Sequence, residues 1–156
     1  VEKLVPVDCA AIILGTTEPL LTEVPMLMTP GTDRVVGIFA PTFFDPSVAP
    51  PGRHMLDVFL PLSSEDRTHE LELAMGDLRT LFPNLDAVLD MMVPMFFTGE
   101  WTGAESGQTL GQVGDLRLDP RSPIPHLYLV GMDAVGSGAA GDLIPVGVRR
   151  LLDYLS

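Results

Sequence analysis

In residues 1–62 the apolar positions gather in short runs: CAAIIL (Cys9–Leu14), VVGIFA (Val35–Ala40) and HMLDVFLPL (His54–Leu62). Turn-forming stretches separate them, at Thr29-Pro30-Gly31-Thr32-Asp33 and in DPSVAPPGRH. Short apolar runs bounded by such residues predict strands. The alternation in His54–Leu60 is imperfect, so the pattern does not say which face of that strand is buried. After Ser63 the period changes. Leu71, Ala74, Met75, Leu78 and Leu81 fall at helical spacing, with Glu70, Glu72, Asp77 and Arg79 expected to point away. Ser63 and Asp66 fit an acidic variant of the capping box, Glu65 and Asp66 suit a helix N-terminus, and Pro83 ends the segment. The expectation is a helix over about 64–82. A shorter helix follows Asn84, with Leu85, Val88, Leu89 and Met92 on one side. MVPMFF (Met92–Phe97) is expected to be extended, because a residue before proline avoids the helical region.

Residues 99–124 read as loop, punctuated by Gly99, Gly103, Gly107, Gly111 and Gly114. Long glycine-rich loops in compact domains are usually functional or mobile. The chain closes with an apolar strand, HLYLVG (His126–Gly131), a glycine-rich loop and an amphipathic helix starting near Asp142 or Leu143. In that helix Ile144, Val148, Leu151, Leu152 and Leu155 are expected to bury one face. Pro145 falls in the first turn, where its missing N–H does little harm.

The loop at Gly136–Gly141, GSGAAG, fits G-x-G-x-x-G after a strand. A dinucleotide fold also needs a second strand and an acidic residue roughly twenty positions on. Only a helix with Asp153 follows, so no complete dinucleotide fold is expected within this chain. The local chemistry still suits a ligand: glycines admit close approach to the backbone, and the helix start aims free N–H groups at the same space. Asp142 reads most simply as the N-cap, and its carboxylate repels phosphate. A neutral polar edge, such as that of a flavin ring, fits better there.

Composition narrows the function classes. The chain is 46% apolar and 19% charged, too greasy for a disordered segment. It reads as a domain that keeps an apolar face for a partner, a ligand or a further segment, the alternative being a well-packed small domain. The formal charge is −12, without a basic stripe, which argues against nucleic-acid binding and attraction to anionic membranes. Cys9 stands alone, so no internal disulfide is expected, and a buried inert thiol is its expected role. The N-terminus lacks a basic n-region, and the greasy stretch Leu85–Phe97 carries Asp86, Asp90 and Pro94, so neither a signal peptide nor a membrane span is expected. A cytoplasmic location is the default, with peripheral membrane attachment as the alternative.

Discrete catalytic chemistry is sparse. His54, His69 and His126 are dispersed without carboxylate or cysteine at metal-ligand spacing, so no metal site is expected. Ser106 and Ser137 lie in glycine-rich loops but outside G-x-S-x-G. Met91, Met92 and Met95, with Phe96 and Phe97, suit either core packing or an apolar substrate channel, packing being the commoner use. Trp101 and Tyr128 are expected to be packed rather than ligand-bound.

The terminal segment PHLYLVGMDAVGSGAAG…GVRRLL resembles the C-terminal flavin-binding segment of FAD-dependent oxidoreductases of the phytoene desaturase (carotenoid desaturase and isomerase) and amine oxidase type. Upstream, APPGRH (Ala49–His54) and its following strand, WTGAESGQTLGQ, and LDPRSPIPHLYLVG are similar to further segments of that family, in the same order. The resemblance implies an α/β fold: an α+β part of a substrate domain over 1–98, then a glycine-rich loop and a flavin-facing strand–loop–helix over 99–156. The GxGxxG half that holds the adenine and phosphates is expected to lie outside this chain. FAD would be shared with that half, Gly131, Met132 and Asp133 lying near the pyrophosphate and ribityl chain. Gly138, Ala139, Ala140, Gly141 and Asp142 would approach the ring. The implied activity is hydride transfer from an apolar, polyene-like or amine substrate to flavin, the protein supplying binding and orientation, with no catalytic acid–base pair assigned. The implied partner is the FAD-binding chain or segment, with a homo-oligomer as an addition. The alternatives are a non-catalytic partner-binding or dimerising module, and a carrier of apolar ligands.

Overall fold

The computed structural model describes residues 5–98, 111–136 and 143–156, the side chain of Leu143 excepted. The chain falls into two compact units, Asp8–Thr102 and Val1–Val7 with Gly103–Ser156.

The first unit is an antiparallel sheet carrying a helix. Its strands are β1 (Cys9–Thr16), β2 (Met26–Met28), β3 (Gly37–Phe39), β4 (His54–Pro61) and β5 (Leu89–Phe97), ordered β2-β3-β4-β1-β5. The three expected runs are all strands, and MVPMFF is extended inside β5. The short β2 was not legible, because MLM is bracketed by prolines and turn residues that mask its alternation. Pro94 is tolerated because β5 lies at the sheet edge, where one side of the ladder needs no partner.

Helix α1 (Arg67–Leu81) covers one face of the sheet, and a single turn, α2 (Leu85–Val88), follows. Ala10, Ile12 and Leu14 of β1, Leu56, Val58 and Leu60 of β4, and Ile38 of β3 meet Ala74, Met75 and Leu78 of α1 in one core. The period-two spacing on β1 and β4 resolves the ambiguity of His54–Leu60: the even-numbered residues face the helix.

Two expectations about α1 are corrected. Its N-cap is Asp66, whose carboxylate accepts the N–H groups of Thr68 and His69 at 3.1 Å each, rather than Ser63. Ser63 instead donates its hydroxyl to Glu70 at 2.8 Å. Glu70 and Asp77 do not point away. Both are buried, since positions 70, 74, 77 and 81 lie on one helical stripe with the core residues.

Their burial has a purpose in the packing. Asp77 accepts the backbone N–H groups of Asp33 (3.0 Å), Arg34 (2.7 Å) and Val35 (3.0 Å). These residues belong to the loop between β2 and β3. Glu70 meets the Arg34 guanidinium, Nε to Oε2 2.9 Å, so the same loop is held at two points about two helical turns apart. Within the loop, the hydroxyls of Thr29 and Thr32 both donate to the Val35 carbonyl. Burial pushes both carboxyls up, but the hydrogen bonds and the Arg34 charge outweigh it and hold Asp77 and Glu70 below the usual carboxylate range.

Asp77→Asn should destabilise the unit by about 2–3 kcal/mol, because an amide accepts at only one of its two positions and strands a buried N–H. Urea unfolding checks this. A carboxylate with a lowered folded pKa stabilises fully above the ordinary carboxylate range and loses that contribution as pH falls through the lowered value. Stability measured against pH should therefore drop on the acid side in the native chain, and less steeply in Asp77→Asn.

Candidate functional site

The face of the sheet opposite α1 carries the odd-numbered residues of β1 and β4 and, beyond a bulge that turns Leu89 to the core, of β5 from Met91 onward. Register places Met26, Phe39, Asp57, Ile13 and Val93 in one row across the five strands, with Asp57 on the central strand. Met28, Gly37, Phe59, Ala11 and Met95 form the next row. This face is apolar yet open: Met26, Met28, Met91 and Val93 are all exposed, Met28 by 61%. Of the two uses open to Met91, Met92 and Met95, core packing is excluded, since all three are exposed. Phe96 does pack against the core. Gly15 stands on this face against Met91, where an added Cβ would come within 3.1 Å of the methionine Cβ, so the absence of a side chain lets β1 and β5 close.

Asp57 interrupts the apolar surface. It is half-buried, its Oδ1 is shut off from solvent without a hydrogen-bond partner among the described residues, and burial pushes its carboxyl up. The sequence reading missed it, although an acid amid alternating apolar residues in HMLDVFL is a visible signal.

The second unit holds the terminal motif. Helix α3 (Leu143–Leu155) starts where expected, with Pro145 in its first turn. HLYLVG does not pair into a sheet. Its only ladder contact among the described residues is an isolated bridge between Tyr128 and Arg121. Leu127, Tyr128, Leu129 and Val130 are exposed in succession, on both sides of the extended backbone. The expectation that α3 buries one face is likewise corrected: Ile144, Val148, Leu152 and Leu155 are exposed, Leu152 by 60%, and of that stripe Leu151 alone is half-buried. Polar contacts and one close backbone approach tether the helix instead. Arg150 pairs with Asp115 at 2.6 Å, the Arg121 guanidinium lies 4.4 Å from the centre of the Tyr154 ring, and buried Gly147 faces the Val135 carbonyl. Arg121 is itself oriented by Asp119, and the side-chain hydrogen bond it donates holds that carboxyl down at about 2.

Of the residues the resemblance assigns to flavin, Gly131, Met132 and Asp133 form a turn beside the bridge from Leu118 to Ala134. Gly131 has φ +152°, and an added Cβ would meet nothing within 4 Å among the described residues. Asp133 is exposed. Gly138, Ala139, Ala140, Gly141 and Asp142 lie outside the described residues, as do Trp101, Ser106 and Ser137.

Arg117 is the residue of this region that the sequence reading missed. It is buried, donates from Nη1 to the Met132 carbonyl, and its Nε has no hydrogen-bond partner among the described residues. No carboxylate pairs with it among the described residues. A buried guanidinium without a counter-charge is costly, and an anion laid against the Gly131–Asp133 turn would relieve it. The three histidines stay apart, and among the described residues no cluster suited to a metal ion is assembled. No described helix is long and apolar enough to cross a membrane. Cys9 is half-buried in β1.

No family model and no curated protein matches the chain. Solved structures do. An oxidoreductase from Methanosarcina mazei is 25% identical, with a TM-score of 0.78 over 97% of this chain and 35% of its own. A Pyrococcus furiosus protein, 18% identical, matches with a TM-score of 0.63 over 99% of this chain and 33% of its own. The chain thus spans about a third of either protein. Its mixed α/β fold is that of part of an oxidoreductase.

Arg117→Ala should free the Gly131–Asp133 turn. The amides of Ala134 and Val135, which donate to Gly131 and Leu118, should then exchange with solvent about tenfold faster, as loss of ~1.4 kcal/mol implies. Hydrogen exchange followed by mass spectrometry measures this.

Proposed function

We propose that this chain is the C-terminal part of an FAD-dependent oxidoreductase, carrying a wall of the substrate site and the flavin-facing end of the cofactor site. The observation that carries the reading is the uncovered second unit. A run of four consecutive apolar residues fits a strand buried on both faces, as in a parallel sheet flanked by helices. Here, among the described residues, Leu127–Val130 joins no sheet beyond the single Tyr128–Arg121 bridge and stays exposed, as does the apolar stripe of α3 apart from half-buried Leu151. Both surfaces suit a nucleotide-binding sheet completed by another segment, in the same polypeptide or in a partner. That the oxidoreductase of similar fold is nearly three times as long is consistent with this.

The described residues fit FAD in two respects. Gly131 offers backbone that no described residue crowds, and Arg117 offers a buried charge beside it for the pyrophosphate. When bound, the flavin would supply the hydride chemistry. Gly131, Met132 and Asp133 would hold the pyrophosphate and ribityl chain, and Gly138–Asp142 would approach the ring. The substrate is an apolar molecule received on the open sheet face.

The uncovered surfaces also favour a second reading, a non-catalytic module that pairs through them. Native mass spectrometry and a visible absorption spectrum on protein from its native source separate the two. The expected result is flavin together with a GxGxxG-bearing segment. A stable, flavin-free homodimer would favour the pairing module. The 156-residue chain alone should retain no stoichiometric flavin, and a yellow cofactor bound to it one-to-one would contradict a shared site.

A further inference from the structure

The charge at the centre of the open sheet face restricts what that face can receive. Asp57 is the only acidic or basic side chain that register places among its strand positions. Around it stand Phe39, Ile13, Met55 and Phe59. One carboxylate oxygen is already closed to water and has no donor among the described residues. Covering this face with hydrocarbon alone, or with a second copy of the same face, would remove the remaining solvent from an ionised group and give nothing back. A molecule bearing one N–H or O–H donor would instead satisfy it. The methionines suit a flexible apolar chain, being unbranched and polarisable. From β4 across β1 to β5 the face extends about 10 Å, enough for the body of an elongated ligand. The excess of acidic over basic residues, 21 to 9, further disfavours an anionic head.

We infer that the open face binds an elongated apolar molecule whose hydrogen-bond-donor head, a hydroxyl or an ammonium, is received by Asp57, and that a plain hydrocarbon or an anionic amphiphile is disfavoured. Asp57 is then the residue that selects the ligand. This deepens the substrate-wall reading above, but its test requires no flavin, so the two can fail separately.

The test is displacement of an environment-sensitive dye from the 156-residue chain by dodecanol, dodecylamine and dodecanoate, with circular dichroism as the check on folding. The native chain should bind the alcohol or the amine at least about tenfold more tightly than the carboxylate, the equivalent of one charge-assisted hydrogen bond. Asp57→Leu should abolish that preference while still binding the apolar chains. Asp57→Asn preserves shape and separates the heads: an alcohol head keeps its acceptor, and an ammonium head loses its counter-charge. A head-group preference unchanged in Asp57→Leu would overturn the inference. So would equal affinity for dodecanoate in the native chain, or no displacement by any of the three.

Discussion

The three hydrogen bonds that Asp77 accepts from consecutive backbone N–H groups hold the first unit in its form. A loop of the sequence TPGTDR has no apolar side chain with which to anchor itself. Its polar backbone must nevertheless lie beside the core, because Val35 at its end is fully buried. A carboxylate on the inner stripe of α1 solves both problems: it satisfies the loop's N–H groups and places Val35 under the helix. Glu70 adds a second anchor about two helical turns earlier through Arg34 and Ser63. The β2–β3 hairpin is thereby fixed to the helix, and through the Val36 N–H to the Phe59 carbonyl it is fixed to β4 as well.

That arrangement concentrates polar anchoring on one side of the sheet and leaves the other side available. The helix-facing side has aliphatic residues in an interdigitated core. The opposite side has methionine and phenylalanine, exposed and adaptable, around one carboxylate. A sheet needs only one covered face to fold, so the second face is free to take a functional composition. Met91 and Met95, which composition alone would assign to packing, are part of the surface of this face.

The second unit is built on a different balance. Its helix is positioned by an ion pair, a cation–aromatic contact and a glycine in contact with a carbonyl, while its apolar stripe, Leu151 apart, and the adjacent apolar run stay exposed. Surface ion pairs of this kind contribute little individually. Burial of the apolar surface by a further segment would contribute more, at roughly 25 cal/mol for each square ångström covered. The buried Arg117 follows the same pattern in charge: among the described residues no carboxylate pairs with it, and its Nε is unpartnered.

The sequence by itself determined the elements that local patterns encode. Strands at Cys9–Leu14 and His54–Leu62, the helix under Leu71, Ala74, Met75 and Leu78, and the helix starting at Leu143 are all written in spacing and turn residues. The likeness to an oxidoreductase was also legible, because the glycines and apolar runs that carry it are local. What only the tertiary structure decided is what each apolar or charged residue faces. Glu70 and Asp77 turned inward because a loop forty residues away supplies their partners, and no local period reports that. Leu127–Val130 and the stripe of α3, Leu151 apart, turned out exposed because burial depends on neighbours, not on hydrophobicity. Asp57 gained its meaning from Phe39 and Ile13 on adjacent strands, which register alone brings beside it.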